Sequence, residues 1–64
     1  MLTIFIFSEN ALQYFFKSIE LAPDDPITYL NVGIIYHLLG DTKNASFYTA
    51  KGNEIKAKQE RKND

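Results

Sequence analysis

The chain has 64 residues, no cysteine, a single histidine (His37) and a formal net charge of -1. A domain of this length buries only roughly 60% of the surface its unfolded chain exposes, so with no disulfide to form, packing against another chain is the expected source of added stability. The charge balance excludes the strongly basic surface of a polyanion binder. A chain without cysteine also suits a reducing compartment, and the expected location is cytoplasmic.

Residues 1–7 are apolar, but Ser8 ends the run well short of the ~20 apolar residues of a membrane span, and no basic start marks a secretory signal. Two conformations suit this segment: a frayed apolar tail or remnant, or an extension of the first helix. The extension is expected, because no Gly or Pro interrupts the stretch from Leu2 to Ala22 and β-branched residues cost only tenths of a kcal/mol each in a helix.

Between residues 10 and 22, apolar or small side chains recur at Ala11, Phe15, Ser18, Ile19 and Ala22, the spacing of one helix face. Pro23 stops that helix. In Pro23-Asp24-Asp25-Pro26 the first residues turn the chain, Asp25 is placed to cap a new helix, and Pro26 suits its first position. This second helix, to about Leu39, is apolar on nearly every side through Ile27, Tyr29, Leu30, Val32, Ile34, Ile35, Tyr36, Leu38 and Leu39, so it must be covered on more than one face. Gly40 ends it, since glycine takes the left-handed conformation that follows many helices. Asp41 or Thr42 then caps a third helix, predicted through Ala45, Tyr48, Thr49, Gly52 and Ile55 to near Lys58. Residues 59–64 form a charged tail that reads as a solvated helix end, with cations near the C-terminus favoured by the macrodipole.

An offset of 34 residues aligns residues 10–20 with residues 44–54 at five identities in eleven positions. These are Asn10 with Asn44, Ala11 with Ala45, Tyr14 with Tyr48, Lys17 with Lys51, and Glu20 with Glu54. The offset is a period of helical repeats. Tyr29, Val32, Gly33 and Tyr36 fall at the spacing of an aromatic, two residues, Leu-Gly, two residues and Tyr, with Val in place of Leu. Ala11, Phe15 and Pro23 fall at that of Ala, three residues, Phe and a later Pro. On these residues the chain resembles the tetratricopeptide repeat family over about one and a half repeats.

The resemblance implies an all-α fold of three helices, arranged as the antiparallel helical hairpins of an α-solenoid. Residues 8–25 would be the second helix of a truncated repeat with its turn, and residues 26–58 a complete helix pair. Small residues at the crossings (Ala11, Ser18, Gly33, Ala45 and Gly52) would let the helices approach. Tyr29, Val32 and Tyr36 would meet Phe15 and Ile19 on one side and Ala45, Tyr48 and Ile55 on the other. Three departures weaken the pattern toward the C-terminus: Thr49 where an aromatic is expected, Asn53 opposite Ile19, and no proline after the third helix.

No catalytic constellation is legible. There is no phosphate loop, no paired histidines and no cysteine nucleophile, and Asp24 and Asp25 are explained as turn and cap. The expectation is therefore a protein that is not an enzyme, holds no cofactor or metal, and contacts neither nucleic acid nor membrane. What the family resemblance implies instead is a scaffold or adaptor segment, binding a peptide or helix of a partner protein along a groove lined by the middle helix. The matching positions are Ile27, Leu30, Asn31, Ile34, His37 and Leu38, a stripe expected to point away from Tyr29, Val32, Gly33 and Tyr36. The family's carboxylate clamp would need lysine or arginine here; only Asn31 fits it, so a terminal carboxylate is not the expected ligand. Two alternatives remain: a fragment of a larger repeat-bearing enzyme such as a glycosyltransferase, and a homo-oligomer in which two helical hairpins cover each other.

Overall fold

Prolines and a glycine punctuate the chain into three α-helices: α1 (Leu2–Leu21), α2 (Pro26–Leu38) and α3 (Thr42–Lys62). The computed structural model describes residues 2–62, with side chains described for residues 9–61. The sequence expectation of an apolar remnant or helix extension at residues 1–7 falls at this margin. The backbone is helical from Leu2, whereas Met1 and the side chains before Glu9 lie outside the described residues. At the other end α3 runs beyond the predicted Lys58 to Lys62, and residues 63 and 64 of the charged tail lie outside the described residues.

The α1–α2 connection follows from proline chemistry. Pro23 has no N–H for a helical bond and disfavours helical geometry at the residue before it, so α1 stops at Leu21. The Asp25 amide donates to the Ala22 carbonyl at 3.2 Å, closing a four-residue turn with Pro23 at the position its fixed φ suits. Asp25 then sits in extended geometry (φ -86°, ψ 106°), and its carboxylate accepts the Ile27 amide at 3.0 Å. That bond satisfies one of the orphan donors of α2.

The α2–α3 connection is a glycine cap passing directly into an aspartate cap. Gly40 has φ 82°, a conformation costly for residues with a Cβ. With the chain reversed there, the Gly40 amide donates to the His37 carbonyl at 3.0 Å and the Asp41 amide to the Tyr36 carbonyl at 2.9 Å, the paired bonds of a Schellman cap. Asp41 in turn begins α3. Its carboxylate accepts the Asn44 amide at 3.1 Å and the Asn44 side-chain amide at 2.7 Å. These bonds hold the Asp41 carboxyl below its ordinary pKa, the backbone bond contributing most.

Two antiparallel crossings follow. Near its start α2 brings Pro26 and Leu30 to Gly52; further along, Gly33 meets Thr49 and Ala45. Tyr36, one turn further, stacks on Tyr48 with ring centroids 5.6 Å apart and planes 14° apart. Contacts thus move backward along α3 as they move forward along α2. On the opposite side of α2, Leu12 joins Val32 and Ile35 in the buried core, bordered by Ala11, Phe15, Ile19, Tyr36, Leu39 and Tyr48. Val32 is 0% exposed, and burying such a side chain contributes about 1.5–3 kcal/mol. The predicted α1 face missed Leu12, which is buried, and included Ala22, which lies exposed beyond the helix end.

Among the described residues the backbones of α1 and α3 make no close approach, and α2 packs against both. Phe16 of α1 reaches Tyr48 of α3, with ring centroids 6.0 Å apart. The result is a flattened body with extents of 46 × 23 × 12 Å. Its radius of gyration, 12.7 Å, exceeds the value of about 11 Å for a compact domain of this length. Every helix therefore keeps one or more broad faces without a covering layer.

Candidate functional site

A helix that is apolar all round and has neighbours on two sides must leave apolar side chains on what remains. Along α2 these are Ile27 (57% exposed), Ile34 (57%) and Leu38 (64%). Their spacing of seven and four residues places them on one line down the helix. His37 is exposed beside them and Asn31 is half-buried. Of the six residues expected on this stripe, Leu30 departs: it is half-buried, and its Cγ and Cδ2 lie where a Cβ on Gly52 would come within 2.9 Å. Leu30 thus points into the α2–α3 crossing with Gly33, rather than away from it. The physical reason is Gly52, whose missing side chain opens a space that a leucine on the facing helix fills.

The stripe continues sideways into a trough of about 540 Å³ between α2 and α3. Ile34 and His37 form one wall; Ser46, Thr49 and Asn53 line the other, with Ala45 among the lining residues. Thr49 packs over Gly33, where its Oγ1 occupies the room a Cβ would need. The trough is therefore lined by Ile34 and His37 on the α2 side and by hydroxyl- and amide-bearing side chains on the α3 side, and His37 is the one titratable side chain among its described lining residues. Such a surface suits a segment that buries aliphatic groups against Ile27, Ile34 and Leu38 while exchanging hydrogen bonds with Ser46, Thr49 or Asn53. Its lining includes no lysine or arginine for a carboxylate.

The α3 contribution was not read from the sequence, where Thr49 and Asn53 registered only as losses from an aromatic and aliphatic pattern. A usable signal existed: Ser46, Thr49 and Asn53 recur at helical spacing on one face of α3.

Away from the trough, against the core, Tyr36 and Tyr48 stack, and Tyr36 has its pKa raised by burial first, then by Tyr48 and Asp41. Among the described residues no group of three His, Cys, Asp or Glu side chains is placed to hold a metal ion. No helix among them is long and apolar enough to cross a membrane. Comparison of the chain with protein-family models, with characterised proteins and with solved structures finds no match.

Proposed function

We propose that the chain is a segment of a tetratricopeptide-like helical array that serves as a protein interaction module, receiving a peptide or helix of a partner on α2. The observation that carries this reading is the line of Ile27, Ile34 and Leu38, exposed by more than half on a helix whose other sides are packed. Exposed apolar surface of this kind, flanked by polar side chains, is characteristic of interaction sites. In support, the 34-residue sequence repeat falls on α1 and α3, the two helices that pack against α2 from opposite sides. The glycine-mediated α2–α3 hairpin is also the kind of close pairing that stacked helical repeats use.

Nitrogen-15 spectra of the chain, titrated with an amphipathic helical peptide bearing leucine on one face, test the reading. Shifts should concentrate at Ile27, Ile34, His37, Leu38, Ser46 and Asn53, and a variant with Ile27, Ile34 and Leu38 all changed to Ser should lose them. Undiminished shifts in that variant would remove α2 as the binding surface. Leu30 is left intact because it contributes to the fold.

Self-association is the second reading, favoured by the 12 Å thickness of the helix layer and by the exposure of Tyr14, Leu21 and Phe47 outside the α2 stripe. Sedimentation equilibrium over a wide concentration range separates the two, since a strict monomer leaves only the partner-binding reading.

A further inference from the structure

Beyond the start of α2, the C-terminal half of α3 passes alongside the α1–α2 turn, and Gln59 Nε2 ties them by donating to the Asp24 carbonyl at 2.6 Å. Between that tie and the α2–α3 crossing lies a cleft of about 590 Å³, within the size range of about 300–1,000 Å³ typical of ligand pockets. Pro23, Tyr29 and Ile55 give it apolar walls, and Lys51, Lys58 and Arg61 line it with positive charge. Two carboxylates bear on it: Asp24 in the lining, and Glu54, whose Oε1 lies 3.3 Å from Lys58 Nζ. The cations still outnumber them.

Tyr29 is an observation independent of the charges. Its side chain is 8% exposed, it lines the cleft, and its hydroxyl has no hydrogen-bond partner among the described residues. No described side-chain oxygen or nitrogen is both sealed from solvent and unpaired, so the Tyr29 hydroxyl keeps some contact with solvent on a residue that lines the cleft. A buried ring that presents an unpaired phenolic donor beside lysine and arginine is suited to an anionic oxygen.

We propose that this cleft binds a short acidic–apolar segment of a partner protein, its carboxylates held by Lys51, Lys58, Arg61 and the Tyr29 hydroxyl, its aliphatic groups against Pro23 and Ile55. The occupant is a peptide and not a nucleic acid because the cations are local. Residues 1–50 carry five acidic and two basic side chains, so a polyanion extending beyond the cleft meets repulsion. The cleft is separate from the α2 trough in its lining residues and its charge.

The test is fluorescence anisotropy of a fluorescein-labelled hexapeptide of alternating aspartate and leucine, titrated with the full chain at low ionic strength. Saturable binding that weakens with added salt is expected. The double variant Lys51→Ala, Arg61→Ala should lose about tenfold in affinity with unchanged thermal melting, because both side chains are exposed. Tyr29→Phe keeps the packed ring and should weaken binding by about threefold. Lys17→Ala, which removes a cation from α1, should leave affinity unchanged. Any of four results overturns the proposal: no saturation with the wild-type chain, equal binding of a peptide with lysine in place of aspartate, as large a loss from Lys17→Ala as from the double variant, or tighter binding of a single-stranded oligonucleotide of matching charge.

Discussion

Where α2 meets α3 the backbones approach through glycine, and where it meets α1 leucine, isoleucine and phenylalanine stand between them. On the α3 side, a Cβ on Gly33 would lie 3.1 Å from the Ala45 carbonyl oxygen and 3.2 Å from the Thr49 amide, and one on Gly52 would lie 3.0 Å from the Pro26 carbonyl oxygen. On the α1 side, Leu12, Phe15 and Ile19 reach toward Val32, Ile35 and Leu39. The α2–α3 interface is the more extensive of the two. Close backbones gain contact along their whole length and tolerate no added atom, whereas a side-chain interface depends on a few large groups and fails when one is removed.

The sharpest way to break that comparison is Leu12→Ala. It should cost about 3 kcal/mol, much of the stability of a domain this small. The loss should fall on α1: hydrogen exchange should show its amides unprotected while those of α2 and α3 remain protected. Loss of protection in all three helices together would mean that the two interfaces form one cooperative unit. Gly33→Ala probes the other side. Overpacking costs about 1–3 kcal/mol, the upper half of that range where the atoms met include backbone as here, and the better helix propensity of alanine returns about 1, so a net loss near 1–2 kcal/mol is expected in urea unfolding. A neutral or stabilised variant would show that the crossing can open without penalty.

Gly40→Ala tests the hairpin between these helices. The residue has open space around it, so the expected loss of about 1 kcal/mol comes from its φ alone. Asp41 gives a smaller, pH-linked effect. Its carboxyl is held below the ordinary value in the folded chain, so its contribution is present above the unfolded-state pKa and is lost as pH falls through the folded one. Melting temperature should therefore decline on acidification, and the decline should be shallower in Asp41→Asn. Tyr36 has the opposite sign: its raised pKa favours the neutral phenol, so its contribution is present below the unfolded pKa near 10 and is lost as pH rises through the folded one. Smallest of all is Lys17→Ala. It removes an exposed 3.4 Å pair with Glu20 and should change stability by less than about 0.5 kcal/mol.

The two turns between the helices were legible residue by residue because each rests on local chemistry, whereas α3 runs past the expected end near Lys58 to Lys62. Proline lacks an amide donor, aspartate caps the next helix within three residues, and glycine alone enters the left-handed region cheaply; none of this needs a distant partner. The need to cover α2 on more than one side was likewise readable.

Which side faces which neighbour was decided only by tertiary structure. A helix apolar around its whole circumference has no preferred direction in its own sequence, so nothing local separates Leu30, turned into the α3 crossing, from Ile34, turned toward solvent. That choice depends on the vacancy at Gly52, twenty-two residues further along the chain. For the same reason the polar wall of the trough and the basic cleft escaped notice: each is assembled from residues far apart in sequence, brought together only once two glycines let α2 and α3 lie side by side.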